Sequence, residues 1–345
     1  MLFEDDPPPK LVGIARLAAS SDLLEAKRQV EYLELETRRF IGRGSGRMRS
    51  IWTINPYRGC EYGCKYCYAR YAHEFMELRD PELFERKIYA KKFQALAFRA
   101  EVRRLTLGDT VWIGTATDPY QPAERRFQIT RQMLEVFAGE RGLDFGITTK
   151  SDFVSRDAAL MARIGRKNKI RVHLTITTLD ERLARLVEPR APRPALRLAA
   201  VKKLTDAGVP VSVLAHPVMP LINDSEDSLD QVCAAAACHG ASSFSAAPLF
   251  LKPCAAQVFL PFLEERFPHL VRRYRERFSN AAYLKGHYPE MIAERVERIR
   301  SRHGLASRRA PEWPEPFPGD QLDLFPSLAK GPSTASTLQR KVNRL

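Results

Sequence analysis

Three of the six cysteines of the chain lie within eight residues, in the spacing C-x3-C-x2-C formed by Cys60, Cys64 and Cys67. A glycine precedes each of the first two cysteines and frees the backbone of this short segment to curl. The three sulfur atoms can therefore converge on one metal centre, because each residue has to supply only one thiolate. We expect the rest of the chain to be a scaffold that presents this segment.

Two kinds of metal centre are compatible with three clustered cysteines. A structural zinc site closes its coordination shell with four protein ligands, and no further cysteine follows until Cys233, so zinc requires a histidine such as His73. A cubane [4Fe-4S] cluster held by three cysteines leaves one iron atom open to another ligand. The spacing favours the iron-sulfur cluster and leaves zinc as the alternative.

The composition is that of an ordinary globular protein, with 44% hydrophobic and 28% charged residues in a chain of 345. No apolar run approaches the roughly 20 residues that a membrane span needs, and the acidic, proline-containing start does not resemble a signal peptide. We therefore expect a cytoplasmic protein with no membrane partner. A reducing compartment suits free thiolates and argues against three disulfide bonds.

The formal net charge of +14 bears on the choice of partner. A basic surface attracts polyanions and accelerates encounter with them. Nucleic acid is the leading candidate partner on this ground. The alternative is that scattered arginines keep the protein in solution.

Strand and helix patterns alternate from Ser50 onward, which is typical of a parallel sheet covered by helices. The sequence predicts strands at 51–54, 110–117, 145–149, 171–178, 210–215 and 242–247. It predicts helices at 67–78, 129–138, 157–164, 181–186, 195–207 and 229–238. Such β/α units predict an α/β fold with a partial, TIM-like (β/α)6 barrel.

The segments on either side of the barrel have different patterns. Residues 1–49 are predicted to form an N-terminal helix over 22–40 and a basic Gly/Arg linker, ahead of the barrel at 50–254. Residues 255–309 read as a basic helical extension, and the proline-rich residues 310–345 as a flexible, disordered tail.

The cysteine spacing resembles the signature of the radical S-adenosylmethionine (SAM) enzymes. The resemblance implies a [4Fe-4S] cluster on Cys60, Cys64 and Cys67, with SAM chelating the open iron. It also implies reductive cleavage of SAM to a 5′-deoxyadenosyl radical, an electron donor such as flavodoxin or ferredoxin, and a partial barrel of the radical SAM type. Tyr66 matches the family residue that lies beside the adenine.

Within this superfamily, the chain is similar to the spore photoproduct lyase branch, also called DNA repair photolyases, over roughly residues 50–250. The matching segments are Cys64-Lys65-Tyr66-Cys67-Tyr68, Thr117-Asp118, Thr149-Lys150 and Ala207-Gly208-Val209-Pro210-Val211.

One position departs from the lyase pattern. The lyases carry a cysteine on the second strand that returns a hydrogen atom to the product radical, and Thr115 stands there in this chain. A hydroxyl is a far poorer hydrogen-atom donor than a thiol. Cys254, just after the sixth strand, is the best placed of the remaining cysteines to replace it, and an inert buried thiol is the alternative.

Function in β/α barrels collects at the carboxyl ends of the strands, so these positions provide the expected SAM site. The resemblance implies that Thr117 and Asp118 bind the SAM ammonium; the alternative is a turn in which Asp118 bonds to its own backbone. Lys150 is expected to pair with the SAM carboxylate, or to be a solvated charge. Thr175 and Thr177 suit the ribose hydroxyls, or fill a core strand.

The tail contains Gln321-Leu322-Asp323-Leu324-Phe325. This pentapeptide resembles the motif by which bacterial polymerases and repair proteins dock onto the replication sliding clamp. Such a motif places two apolar anchors in a preformed groove and has to lie in an accessible segment. The alternative is an apolar tail that packs against its own barrel.

Together these patterns predict a radical SAM enzyme that acts on nucleic acid, on either a DNA lesion or a modified base. One alternative is a radical SAM enzyme for tRNA, a peptide or a small metabolite. The second alternative is a zinc-containing DNA-binding module that is not an enzyme.

Overall fold

The structure is a computed structural model, and it describes residues 11–27, 29–44, 50–279 and 281–306. Its strands are β1 Leu23–Lys27, β2 Val30–Leu35, β3 Ile41–Arg43, β4 Trp52–Ile54, β5 Tyr57–Arg58, β6 Lys87–Lys91, β7 Thr110–Ile113, β8 Asp144–Thr149, β9 Lys169–Thr175, β10 Val211–Val218 and β11 Ser243–Pro248.

Helices follow most of these strands. They are α1 Gly13–Ala19, α2 Tyr71–Glu74, α3 Leu83–Arg86, α4 Ala95–Val102, α5 Glu124–Phe127, α6 Ile129–Ala138, α7 Ala158–Gly165, α8 Glu181–Val187, α9 Pro194–Asp206, α10 Glu226–Cys238, α11 Pro253–Arg266, α12 Val271–Arg277 and α13 His287–Arg302. Short 3-10 segments span Tyr68–Arg70, Asp152–Asp157 and Pro268–Leu270.

The larger sheet has the strand order β11-β10-β9-β8-β7-β4-β3. The strands β4, β7, β8, β9, β10 and β11 pair in parallel, each beside its neighbour in chain order. Only β3, at one edge, runs antiparallel to β4. This arrangement confirms the predicted partial (β/α)6 barrel and brings the carboxyl ends of the parallel strands to one edge.

Burial within the parallel strands alternates with the period expected of a sheet. In β9 the buried side chains of Ile170, Val172 and Leu174 alternate with the half-buried Arg171 and His173. The buried face belongs to the main hydrophobic core. The apolar, β-branched residues that made the strands recognisable in the sequence are thus those that anchor the helices.

A smaller sheet, in the order β1-β2-β6-β5, stands where a helix over 22–40 was predicted, and that prediction is wrong. The strand β2 is buried on both faces: Val30 and Tyr32 pack in the main core, and Leu33 and Leu35 pack in a second cluster. Apolar residues on both faces produce spacings of three along the chain, which imitate the periodicity of a helix.

Several predicted boundaries also shift. The helix predicted over 67–78 is a 3-10 turn followed by the single turn of α2, and β9 ends at Thr175 rather than at residue 178. The ends of α8 and α9 follow from local chemistry. Asp180 accepts hydrogen bonds from the backbone N–H groups of Arg182 and Leu183, and Gly208 follows α9 with a φ of +80°.

The region of the predicted basic helical extension contains α11, α12 and α13 and is described as far as residue 306. Its basic residues are partly neutralised, since Arg298 and Arg302 of α13 form ion pairs with Glu226 and Asp230. Residues 45–49 of the predicted linker and the tail from residue 307 lie outside the described residues. Within the described ranges, none of the helices has the length and apolar character to cross a membrane.

Gly114 ends β7, and its conformation and surroundings both require glycine. Its φ is +88°, and a Cβ atom there would lie 2.5 Å from the Thr148 carbonyl oxygen and 2.7 Å from Pro119 Cδ. Gly208 has a similar φ of +80° with nothing within 4 Å of the equivalent position. The two glycines therefore separate the cost of backbone strain from the cost of steric overlap.

We expect Gly208→Ala to lower the free energy of unfolding by about 1–2 kcal/mol, which is the cost of left-handed backbone for an L residue. Gly114→Ala adds overpacking and should cost roughly 2–5 kcal/mol. Urea unfolding of the two variants measures both values. Equal losses would contradict the close approach at Gly114.

Candidate active site

A cavity with about 550 Å³ of empty space opens beside the carboxyl ends of the parallel strands. The residues that line it come from the cysteine segment, from the turns after β7 and β8, and from the end of β9. They are Cys60, Tyr62, Cys64, Cys67, Tyr68, Ala69, Phe84, Gly114, Thr115, Thr117, Asp118, Thr148, Thr149, Lys150 and Thr175.

The three clustered cysteines all line this cavity, and all are free thiols. Burial raises the pKa of each thiol, to about 12 for Cys64, where the charge of Lys150 opposes the effect of burial. The thiols are therefore protonated at neutral pH unless a cation binds them. A bound metal removes the proton outright because the thiolate is the ligand.

The spacing of the ligating groups distinguishes a cluster from a single ion. Among the described residues, no three His, Cys, Asp or Glu side chains converge closely enough to bind one metal ion. His73 does not line the cavity, and its Nε2 atom lies 3.0 Å from the Lys87 carbonyl oxygen. A cubane cluster separates its cysteine ligands by its own width, so three thiols around one cavity suit a cluster better than zinc.

Gln121 holds the backbone of the cysteine segment on both sides of Cys60. Its side-chain oxygen accepts a hydrogen bond from Glu61 N at 3.0 Å, and its Nε2 atom donates to the Gly59 carbonyl at 3.0 Å and to Thr117 Oγ1 at 3.0 Å. Gln121 is fully buried. The segment forms little regular structure of its own, so this side chain satisfies backbone groups that would otherwise be buried without partners.

Other parts of the chain fix the rest of the segment. Cys60 N donates to the Phe84 carbonyl and Lys65 N donates to the Val187 carbonyl, each at 2.9 Å. Arg70 donates to the Cys64 carbonyl at 3.2 Å while it pairs with Glu85.

Thr117 and Asp118 line the cavity, and their polar atoms already have protein partners. Thr117 Oγ1 donates to the Gly59 carbonyl at 2.6 Å. The Asp118 carboxylate accepts from Tyr120 N at 2.9 Å, from Thr149 Oγ1 at 2.6 Å and from Lys150 N at 2.7 Å. Burial raises the pKa of Asp118, and these hydrogen bonds oppose the rise.

Lys150 also lines the cavity, with its Nζ atom 5.6 Å from the centroid of the Tyr66 ring. Burial alone would lower the pKa of this ammonium group, but the nearby Cys64 and Glu188 outweigh burial and raise it. The Lys150 ammonium group is therefore a positive charge beside the cysteines, and it is not a solvated charge on the surface.

A buried polar network fixes Tyr66, which is not among the residues that line the cavity. The Tyr66 hydroxyl donates to Glu188, and Thr177 Oγ1 donates to the same carboxylate oxygen at 2.7 Å. The other oxygen of Glu188 lies 2.6 Å from Arg197 in an ion pair with both side chains 1% exposed. Burial would raise the pKa of Glu188, but the charges of Arg197 and Lys150 lower it.

Thr175 and Thr177, the two predicted cofactor residues at the end of β9 and in the loop after it, differ in whether they line the cavity. Thr175 lines the cavity, and its carbonyl accepts a hydrogen bond from Arg197 at 3.1 Å. Thr177 is not among the cavity residues and belongs to the network below Tyr66.

Thr115 lines the cavity, and its hydroxyl accepts a hydrogen bond from Asn55 Nδ2 at 3.1 Å. Cys254 lies outside the cavity: it is buried on α11, and its Sγ atom lies 3.7 Å from the Tyr68 carbonyl oxygen. Cys254 therefore contacts the backbone of the lining residue Tyr68 without itself lining the cavity.

Sequence reasoning missed Gln121, Arg197, Tyr62 and Phe84. Gln121 and Tyr62 are short-range neighbours of predicted site residues, and this proximity was the only local signal. Arg197 lies within a helix, 133 residues after Cys64 by chain numbering, and no pattern in the sequence connects it to the site.

The fold and the site define an enzyme built on a partial β/α barrel, in which three thiols line a cavity at the carboxyl ends of the strands. The sequence profile of the Radical SAM superfamily matches residues 54–232. The chain belongs to the radical SAM superfamily, and it is accordingly an enzyme of radical chemistry that uses a [4Fe-4S] cluster and SAM.

Relatives occur in bacteria and archaea. An uncharacterized protein of Mycobacterium tuberculosis is 34% identical over 265 residues, which cover 76% of this chain and 78% of the relative. An uncharacterized protein of Methanocaldococcus jannaschii is 26% identical over 245 residues, which cover 70% of this chain and 84% of that protein.

Solved structures of spore photoproduct lyase share the fold. One mutant of that enzyme matches with a TM-score of 0.61 and 15% identity, covering 88% of this chain and 86% of the lyase. Another mutant, with bound SAM and dinucleoside spore photoproduct, matches with a TM-score of 0.59 and 14% identity over the same shares of the two chains. The predicted likeness to this branch is therefore confirmed for the fold.

We expect Gln121→Ala to lower the free energy of unfolding by about 1–3 kcal/mol, because the buried Glu61 N–H loses its hydrogen bond to Gln121, while the Gly59 carbonyl keeps the one from Thr117. Gln257 provides a matched control, since it is exposed on α11. Gln257→Ala should change the value by less than about 0.5 kcal/mol. Urea unfolding of the cluster-free proteins measures both, and equal stability of the two variants would contradict the bridging role of Gln121.

Proposed function

We propose that Cys60, Cys64 and Cys67 hold the [4Fe-4S] cluster and that SAM occupies the cavity beside it. The observation that carries this proposal is that the three thiols line one cavity with the strand ends. Three thiolates leave one iron without a protein ligand, as SAM chelation requires.

The surrounding residues suit the groups of SAM. The Asp118 carboxylate accepts three hydrogen bonds and has room for a fourth, which we assign to the SAM ammonium. Lys150 offers its charge to the SAM carboxylate. Thr117 acts through the cysteine segment, since its hydroxyl is bonded to Gly59.

On the adenosine side, we place Thr175 beside the ribose, while Tyr66 contributes to the adenine side. Thr177 and Glu188 fix the Tyr66 hydroxyl and hold its ring in one orientation. When bound, the cluster and SAM supply a 5′-deoxyadenosyl radical that abstracts a hydrogen atom from the substrate. The protein's part is to orient SAM and to exclude water from the cavity. We expect reduced flavodoxin or ferredoxin to deliver the electron.

After anaerobic reconstitution, the wild-type protein should be brown, contain about four irons per chain, and cleave SAM when reduced. Cys64→Ala should lose the cluster and at least 90% of this cleavage, because two thiolates hold a cubane poorly. Iron analysis and quantification of 5′-deoxyadenosine measure these changes.

Cys238→Ala is the control for cysteine loss, since Cys238 is exposed on α10, outside the cavity. It should reconstitute like the wild type. A colourless wild-type protein with one tightly bound zinc would overturn the proposal.

We propose nucleic acid, either a DNA lesion or a modified base, as the substrate class. The net charge of +14 supports an anionic partner. The fold supports it by analogy, because spore photoproduct lyase structures with a similar fold contain dinucleoside spore photoproduct. We also propose that the protein acts in the cytoplasm, because an iron-sulfur cluster persists in that reducing compartment.

The hydrogen-atom return step differs from that of the lyases in this proposal. Thr115 lines the cavity where the lyases carry a cysteine, and Cys254 is not among the residues that line it. A hydroxyl group does not replace a thiol as a hydrogen-atom donor. We therefore propose that the enzyme carries out a reaction on nucleic acid that does not need a thiol at position 115, and so differs from spore photoproduct reversal.

Binding of fluorescent DNA should weaken by a factor of roughly ten or more between about 50 and 200 mM salt, because each phosphate contact releases a counterion. Fluorescence anisotropy measures the slope of log affinity against log salt. Poly-glutamate of similar charge is the control for non-specific polyanion binding and should compete weakly. Absence of DNA and tRNA binding at low salt would reject the nucleic-acid substrate.

We propose that Gln321-Leu322-Asp323-Leu324-Phe325, which lie outside the described residues, dock onto a bacterial sliding clamp. Replacing Leu324 and Phe325 with alanine should reduce clamp binding at least 100-fold, because both apolar anchors are lost. Calorimetry with purified clamp measures the loss. Alanine at Leu338, an apolar residue elsewhere in the tail, is the control, and equal binding by both variants would reject the motif.

A further inference from the structure

A row of aromatic side chains runs past the mouth of the cavity. Its members, in spatial order, are Phe75, Tyr71, Tyr68, Phe250 and Tyr283, called here the aromatic row. Ring centroids of successive members lie 5.7, 6.4, 4.8 and 5.1 Å apart. The Phe250 and Tyr283 rings are nearly parallel, at 14°. Each contact lies in the range of favourable aromatic pairing, so the row is continuous.

The middle of the row reaches the cavity, and both ends face solvent. Tyr68 lines the cavity, and its hydroxyl donates to the Thr115 carbonyl. Phe75 is 62% exposed and Tyr283 is 44% exposed. The row is therefore a path from the protein surface to the place where the substrate has to meet the radical.

Packing does not account for the row. Phe75, Tyr71, Phe250 and Tyr283 belong to none of the hydrophobic core clusters found among the described residues. The backbone nevertheless fixes one end of it, because Phe250 forms a bridge with Tyr283 and Leu251 N donates to the Ala282 carbonyl at 2.7 Å. Large aromatic rings held in place at the surface are typical of binding sites.

Positive charge accompanies the aromatic faces. Lys252 Nζ lies 4.0 Å from the Tyr71 ring centroid and 5.9 Å from that of Tyr68. Lys285 is exposed two residues after Tyr283. The combination of stacking faces and cations is the one that binds single-stranded nucleic acid, in which bases stack on aromatic rings and cations follow the phosphates.

We propose that the aromatic row is a stacking site for unpaired nucleobases of single-stranded nucleic acid, which it leads to the cavity. The inference deepens the proposed function and rests on its nucleic-acid substrate. Bases within a duplex are already stacked on one another, so their faces are not available to the row. An apolar peptide would gain nothing from the cations.

The test compares two oligonucleotides of about twelve nucleotides, one with bases and one abasic with the same phosphates. Fluorescence anisotropy measures their affinities for the wild type and for the double variant Phe75→Ala/Tyr283→Ala. Since stacking contributes about 1–3 kcal/mol per base, loss of even one stacked base weakens binding about fivefold or more, and the variant should bind the base-containing strand at least about fivefold more weakly. Its affinity for the abasic strand should not change.

Leu96→Ala/Leu196→Ala is the matched control, because both leucines are exposed and lie on α4 and α9, outside the row. It should bind both strands like the wild type. If thermal unfolding shows that the double variant is not folded, Phe75→Ala alone replaces it, with the same criterion.

Equal affinity of the wild type and the double variant for the base-containing strand would overturn the proposed stacking role of the aromatic row. Equal affinity of the wild type for the two strands also overturns it, while the nucleic-acid substrate stands. If the wild type binds neither strand nor duplex DNA, the proposed substrate fails, and the row fails with it.

Discussion

The structure depends on holding an irregular cysteine segment rigid without a ladder of its own hydrogen bonds. Buried backbone groups need partners, and here long-range side chains provide them. Gln121 bridges the peptide groups on either side of Cys60, and Thr117 bonds to the Gly59 carbonyl. Because both residues follow β7, the second parallel strand positions the segment that follows the first. The barrel is in this sense the scaffold that sets the relative positions of the three thiols.

The charges beneath the cavity follow a similar logic. A buried carboxylate is costly unless it is paired and hydrogen-bonded, and Glu188 has both Arg197 and the hydroxyls of Tyr66 and Thr177. Removing one partner would leave a buried charge uncompensated. The network therefore fixes the orientation of Tyr66 more strongly than it adds to stability. Lys150 is the cation that most lowers the pKa of the Cys64 thiol.

Much of the fold could be predicted because β/α units have local signatures. The predicted helix over 129–138 coincides with α6, and the predicted fold class is confirmed. The prediction failed over 22–40, where β2 is buried on both faces and its apolar spacing imitates a helix. This error arises because hydrophobic periodicity reports burial, and burial on two faces does not distinguish a strand from a helix. The prediction also overran the ends of β7 and β9, because β-branched residues continue past Ile113 and Thr175, where the strands end.

The sequence by itself determined the cysteine spacing, the order of the strands along the chain and the excess of positive charge, since each is a local or summed property of the chain. Only the tertiary structure decided which strand-end residues line the cavity. It also decided that the Asp118 carboxylate accepts hydrogen bonds from Thr149 and Lys150 of the neighbouring strand and its turn, and that Cys254 contacts the Tyr68 backbone. It also assembled the aromatic row from residues as distant in the chain as Phe75 and Tyr283. The physical reason is that a side chain's surroundings depend on contacts between distant segments, and no short-range pattern encodes those contacts.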